Sequence, residues 1–279
     1  MSRVENPLNV RQLKPVPAAS VGGKEKFARC PSLDEVDAHL VSLIAPESPE
    51  AEQYRALRYE VEYVHKAGEC TVVGVCSAIP GDGKTITAIN LAGALAQDPK
   101  ERVLLIEVDL RRPAVTVGDQ LALGDVAGRG LVDAILDPSL SLEEVVRHVS
   151  HFNLTVLPAG KRSASPYEAL KSPRFGELLT QARQRYDYVI LDAPPVIPVP
   201  DCRLIAKWAD GFIMVVAAHR TPREALEEAL TLMRPASILG LVFNGYDRSA
   251  TRYYGYGYGY GYGNSAGRSR VRWWNRLWE

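Results

Sequence analysis

The sequence has little that would tie it to a membrane or to an oxidising compartment. It holds only four cysteines in 279 residues (Cys30, Cys70, Cys76 and Cys202), none in a CxxC spacing. That excludes a disulfide-stapled miniprotein. Cys70 and Cys76 lie in an apolar run and are expected to be reduced core thiols, which suits a reducing cytosol. The longest apolar run, Phe212–Ala218, is seven residues, against the ~20 needed to cross a bilayer. The opening residues, MSRVENPLNV, show no apolar stretch of a secretory signal. Net charge is lacking as well: 33 Lys and Arg offset 33 Asp and Glu. At 46% hydrophobic and 24% charged, the composition is neither disordered nor collagen-like.

The zero sum conceals an asymmetry. Residues 1–30 carry six basic and two acidic side chains, and residues 247–279 carry the same numbers, so each end is net +4. The stretch between them is net −8. Charge distributed this way predicts interaction tails on an acidic body. Residues 1–47, rich in Pro, Ser and charge, read as a flexible basic arm. Residues 48–246 read as the folded body, and residues 247–279 as a flexible tail. Within that tail, positions 253–262 alternate Tyr and Gly and hold six of the chain's 13 tyrosines. Alternating Gly cannot build a packed face.

Within the body, Ser48-Pro49 is a helix opening, with Ser as cap and Pro in the first turn. Tyr54, Leu57, Val61 and Val64 then mark one apolar helix face. From residue 70 the pattern alternates between apolar strands and helices. Strands are expected at 71–76, 102–108, 154–157, 188–191, 212–217 and 238–243. Helices are expected at 85–96, 130–136, 142–149, 203–208, after Ser172-Pro173 and after Thr221-Pro222. Continuously apolar strands separated by helices predict an α/β fold, a parallel sheet with helices on both faces.

One segment carries specific chemistry. Ser77-Ala78-Ile79-Pro80-Gly81-Asp82-Gly83-Lys84-Thr85 fits the phosphate-loop pattern GxxxxGK[ST], except that Ala78 stands at the first glycine. It lies between a predicted strand and a predicted helix, which is the context that the motif requires. Gly81 and Gly83 let backbone N–H groups turn toward phosphate oxygens, and the helix beginning near Lys84 points its positive end at the same anion. Lys84 is expected to bridge the terminal phosphates of a nucleotide, and the Thr85 hydroxyl to ligate Mg²⁺. The nucleotide-binding set is Pro80, Gly81, Asp82, Gly83, Lys84, Thr85 and Ile86.

Two further strands end in acids. In Tyr188–Leu191 followed by Asp192, the carboxylate falls at the C-terminal edge of a parallel strand, where ligands bind in such folds, and is a candidate Mg²⁺ ligand. In Val103-Leu104-Leu105-Ile106-Glu107-Val108-Asp109 the two acids are two apart and are expected on one face, both toward the phosphate site as metal ligands. A second acidic strand suits an enzyme that handles an acceptor hydroxyl, with Asp109 or Glu107 taking its proton. Lys84, Glu107, Asp109 and Asp192 are therefore the candidate catalytic set.

Taken together, these features resemble the cytoplasmic domain of the bacterial tyrosine kinases of capsule and exopolysaccharide assembly. The resemblance spans about residues 50–262. It rests on the phosphate loop, VLLIEVDLRRP, YDYVILDAPPV and the tyrosine cluster that follows the last strand. It implies a phosphate-loop NTPase fold and an ATP- and Mg²⁺-dependent protein-tyrosine autokinase that regulates polysaccharide chain length, polymerisation or export. The implied acceptors are Tyr253, Tyr254, Tyr256, Tyr258, Tyr260 and Tyr262. Glu52, Arg55 and Arg58 form an E-x-x-R-x-x-R helix resembling the one through which such kinases assemble into rings. The resemblance also implies a separate integral-membrane chain-length activator, a tyrosine phosphatase and a location at the cytoplasmic face of the inner membrane.

Some positions depart from the pattern. Glu107 stands where Asp is usual, and a misplacement of about an ångström can cost ~100-fold in rate. A catalytically weak ATP-binding scaffold is therefore an alternative. A partition-type ATPase is another, but Ile79 replaces the extra lysine of that branch, and the acidic body gives no reason to expect nucleic acid as partner. Asp201 is read as a metal or loop holder, or as a helix cap, and Asn244 as an adenine contact. The Arg- and Trp-rich end, 268–279, fits an anionic membrane surface, single-stranded nucleic acid or docking on the folded body, and contact with the inner membrane or a membrane partner is the expectation.

Overall fold

The computed structural model describes residues 35–66, 68–111, 116–123, 129–234 and 236–245. The chain divides into two units between Asn244 and Gly245. The six tail tyrosines, the Arg/Trp segment and residues 1–34 lie outside the described residues.

Short aliphatic runs form the strands β1 (Thr71–Ser77), β2 (Val103–Glu107), β3 (Arg147–Val149), β4 (Leu154–Leu157), β5 (Tyr188–Asp192), β6 (Gly211–Ala217) and β7 (Ile238–Asn244). Among the described residues they make one sheet, in the order β3-β4-β2-β5-β1-β6-β7. All pairings are parallel except β3 with β4. The antiparallel edge corrects the expected helix over 142–149. That helix stops at Val145, and Arg147–Val149 folds back along Leu154–Val156 through Asn153, which takes a positive φ of 49°.

Period-two alternation sorts each strand's side chains between two cores. Val73, Val75, Leu105, Ile190 and Ile213 pack under α1 (Val41–Ile44), α2 (Pro49–Val64), α3 (Lys84–Leu95) and α4 (Val117–Gln120). Val72, Cys76, Leu104, Ile106, Val189 and Met214 face the opposite layer. That layer holds α5 (Leu131–Leu136), α6 (Leu142–Val145), α7 (Pro166–Lys171), α8 (Pro173–Arg185), α9 (Asp201–Ile205) and α10 (Arg223–Leu232). The α/β expectation, with helices on both faces, is met. Ser48 caps α2 by accepting from Ala51 N at 3.1 Å, as its Ser-Pro signature predicts. Val64 ends that helix exposed rather than on its buried face.

Packing moves the start of the folded body back from residue 48. Val36, Leu40 and Leu43 are buried in the α3 layer. The buried Asn90 side chain accepts from Ser42 N at 2.9 Å and donates to His39 O at 2.9 Å. Residues 35–47 therefore belong to the body, not to the basic arm. Their polar composition hides three apolar anchors that are spaced to reach one helix.

β1 lies inside the sheet, between the central strand β5 and β6. The loops that leave the C-terminal ends of β1, β2 and β5 meet there, which is where open parallel sheets bind ligands.

Candidate functional site

β1 ends at Ser77, and α3 starts at Lys84 with Gly83 as its N-cap. Gly81 and Gly83 take φ of 84° and 93°, values that cost a residue with a Cβ but not glycine. At Gly83 a Cβ would also land on Asn244 Nδ2. The loop thus turns backbone N–H groups of the first α3 turn outward, an anion cradle at a twelve-residue helix.

Two acids of the expected set, Asp192 and Asp109, gather around this helix start, and they do different things. Asp192 ends β5 in register with Val75 of β1. Thr85 Oγ1 donates to Asp192 Oδ2 at 2.9 Å. Asp192 Oδ1 is buried without a hydrogen-bond partner among the described residues, 3.9 Å from Lys84 Nζ. An orphaned carboxylate oxygen beside a hydroxyl is an oxygen-donor set that a hard divalent cation fits. Burial pushes the Asp192 carboxyl up to about 6, against the pull of Lys84 and Thr85. Lys84 Nζ lies 2.9 Å from Asp109 Oδ2. Burial alone would lower this ammonium, but Asp192 and Asp109 outweigh it and hold it above the usual lysine value.

Glu107 turns elsewhere, which corrects the expectation that it shares a face with Asp109 toward the phosphates. Its two oxygens accept from Val117 N at 3.3 Å and Ala159 N at 3.0 Å. The reason is local. β2 ends at Glu107, so the period-two rule stops there. Beyond the strand, the N–H groups of Val108 and Asp109 both donate to Asp192 O, at 3.0 and 3.1 Å. This turn swings Asp109 onto Lys84 and leaves Glu107 between α4 and the end of β4. Burial pushes Glu107 up to about 7, despite its two backbone donors.

Asn244 Nδ2 donates to Asp82 O at 3.0 Å, so this amide grips the loop. Thr221 Oγ1 donates to Asp82 Oδ1 at 2.9 Å, and Arg220 Nη1 to Gly81 O at 2.8 Å. Burial raises the Asp82 carboxyl, partly offset by the Thr221 hydroxyl. Asp201 is not a cap: Pro200 precedes α9 in that position, and Asp201 takes a bidentate pair from Arg111, at 2.7 and 2.9 Å. Sequence reasoning missed this brace, because Arg111 lies 90 residues away and no local spacing joins the two.

A cavity of ≈ 610 Å³ opens on the loop, lined there by Pro80, Gly81, Gly83, Lys84, Thr85 and Ile86. Asp109, Arg111, Arg220 and the strip Pro194, Pro195, Pro198 and Val199 complete its lining. Such a volume accommodates a small-molecule ligand.

The E-x-x-R-x-x-R residues lie on α2, and both arginines are engaged within the chain. Arg55 bonds Glu52 at 2.8 Å, Glu47 at 3.0 Å and Pro46 O at 2.9 Å. Arg58 pairs with Glu62 at 2.6 Å and donates to Ala94 O at 2.8 Å, near the C-terminus of α3. Cys70, Cys76 and Cys202 are free thiols. Among the described residues, no helix is long and apolar enough to cross a membrane.

Comparisons with known proteins identify the family. The AAA domain family matches residues 71–234. The tyrosine-protein kinase YwqD of Bacillus subtilis (strain 168) is 36% identical over 221 residues, 78% of this chain and 90% of YwqD. The succinoglycan biosynthesis transport protein ExoP of Rhizobium meliloti (strain 1021) is 31% identical over 215 residues, 75% of this chain but 27% of ExoP. Among solved structures, the kinase domain of the Escherichia coli tyrosine kinase ETK superimposes with a TM-score of 0.69 at 26% identity, over 78% of this chain and 84% of that domain. A phosphate loop facing a lysine–carboxylate pair, on a chain this similar to YwqD, places the protein in the bacterial tyrosine-protein kinase family.

Proposed function

We propose that this chain transfers the γ-phosphoryl group of ATP to tyrosines of its own C-terminal cluster, Tyr253, Tyr254, Tyr256, Tyr258, Tyr260 and Tyr262, and thereby regulates the assembly or export of a polysaccharide. The observation that carries the reading is the 2.9 Å pair between Lys84 Nζ and Asp109 Oδ2 at the mouth of the phosphate loop. It puts a phosphate-seeking cation and a proton acceptor at one point. The loop N–H groups and Lys84 hold the β- and γ-phosphates. The phenol oxygen forms a bond to the γ-phosphorus as the bond to the β–γ bridging oxygen breaks. The phenol proton passes to Asp109, and ADP leaves. Thr85 and Asp192 would hold Mg²⁺, whose charge, when bound, offsets that of the phosphates.

The polysaccharide link rests on relatives such as ExoP, which is named for succinoglycan biosynthesis and transport. The proposed partners are an integral-membrane activator, a tyrosine phosphatase and further copies of this chain, meeting through α2 in a ring at the inner face of the membrane. The tail's Arg/Trp end would contact the membrane surface.

Mass spectrometry after incubation with Mg-ATP and the membrane partner tests the reading. Phosphate on residues 253–262, lost in Lys84→Met, is expected. ATP binding without any phosphotyrosine would instead favour a nucleotide-gated scaffold.

A further inference from the structure

The cavity is larger and more apolar on one side than a phosphate cradle needs. Beside the loop, the lining includes Pro194, Pro195, Pro198 and Val199, together with Asp109 and Arg111. Three of these four strip residues are prolines, which carry no N–H, so the strip offers an apolar wall with few donors.

The wall is fixed, not a loose loop. Val196 N donates to Ser77 O at 2.8 Å and Ile197 N to Ala78 O at 3.2 Å, which lays the strip along the start of the phosphate loop. Cys202 Sγ donates to Pro194 O at 3.0 Å. The bidentate Arg111–Asp201 pair ties the far end of the strip to the turn after β2. Asp201 is fully buried beneath it.

The direction of a bound nucleotide follows from Lys84. Its ammonium seeks the terminal phosphates and already sits at Asp109. The γ-phosphate end therefore faces Asp109 and the strip. With the terminal phosphates at Lys84, the base and ribose would lie toward the flank where Arg220, which also lines the cavity, and Asn244 grip the loop. The strip is left without a nucleotide group to cover it.

We infer that Pro194, Pro195, Pro198 and Val199 form the subsite for the acceptor's aromatic ring, with Asp109 at the hydroxyl end, so that this wall selects tyrosine over serine and threonine. The identity of the ligand rests on the kinase reading above. Tyrosine is an apolar plate with a polar tip, which matches an apolar wall ending at a carboxylate. A serine side chain, lacking the ring, cannot rest on the strip and reach the same carboxylate.

The test uses the full-length chain saturated with Mg²⁺ and AMP-PNP, titrated with a Gly-Tyr-Gly-Tyr-Gly peptide and its Ser counterpart. Pro198→Glu places a charge at an exposed position of the strip and should leave the fold intact. Val199→Ser is a milder second variant. The expected result is saturable binding of the Tyr peptide but not the Ser peptide, weakened roughly tenfold by either variant, with AMP-PNP affinity within about twofold of wild type. Equal binding of the Tyr and Ser peptides, or Tyr-peptide binding indifferent to both variants, would overturn the subsite. So would a parallel loss of AMP-PNP affinity, because the wall would then belong to the nucleotide. Because binding is read without turnover, a Tyr peptide that binds the strip yet is never phosphorylated sinks the kinase reading and leaves the subsite standing.

Discussion

Asn244, the last residue of β7, donates from its side-chain amide to the main-chain oxygen of Asp82 inside the phosphate loop, 3.0 Å away. Thr221, at the start of the α10 segment, holds the Asp82 carboxylate at 2.9 Å. Asn244 O in turn accepts from Ala218 N at 2.8 Å. Two segments distant in sequence thus grip one loop residue, and the loop's shape depends on both. The same amide, expected from the sequence to contact adenine, holds the loop from the end of β7.

The grip makes Gly83 doubly constrained. Its φ of 93° penalises any Cβ, and a Cβ would land on Asn244 Nδ2. Gly83→Ala should cost about 2–3 kcal/mol and sharply weaken ATP-analogue binding. Asn244→Ala alone should cost about 1 kcal/mol, for one lost hydrogen bond. The double variant should be more stable than the sum of the two predicts, because the collision is gone while the φ penalty stays. Urea denaturation of the three variants checks this, and strict additivity would refute the collision.

The division between what sequence could and could not reveal follows from the range over which each signal acts. The strands, the loop and Asp192 were legible because they depend on neighbours along the chain. Period-two burial marks a strand, and strand–Gly–Lys–helix marks an anion site. Glu107 was misread because the rule for a strand was extended two residues past the end of β2. Val36, Leu40 and Leu43 were missed because their partner is a helix about 50 residues later, reached through Asn90. The Arg111–Asp201 brace and the strip beside it depend on two loops that only the folded sheet brings together.

Glu107 offers a test of its reassigned role. Its two oxygens serve Val117 N and Ala159 N, and both its surroundings and its carboxylate are buried. Glu107→Ala would strand two backbone donors at about 1–3 kcal/mol each, so a loss of roughly 3 kcal/mol is expected. Glu107→Gln keeps one acceptor and faces the other donor with an amide NH2, so a loss of about 1–2 kcal/mol is expected. Neither change touches the Lys84–Asp109 pair, so ATP-analogue affinity should shift only slightly in variants that fold. An affinity loss out of proportion to stability would return Glu107 to the phosphate site.

Asp192 and Glu107 also set the pH dependence of the nucleotide-free protein. Burial raises both carboxyls, from 3.8 to about 6 and from 4.5 to about 7. Each therefore binds its proton more tightly folded than unfolded, so stability falls as pH rises between about 4 and 7. The penalty is absent below that window and complete above it. Asp133 and Asp187 are lowered instead, and their contribution is lost only as pH falls below the ordinary Asp value of 3.8. For Asp192 the penalty at pH 8 is on the order of 3 kcal/mol. The nucleotide-free protein should therefore melt higher at pH 5.5 than at pH 8. Asp192→Asn removes one titrating group while keeping an oxygen for the Thr85 hydroxyl, so it should flatten that slope and raise the melting temperature at pH 8. Calorimetry across the window decides the matter: a wild-type melting temperature that climbs from pH 5.5 to pH 8 would contradict the sign of both shifts.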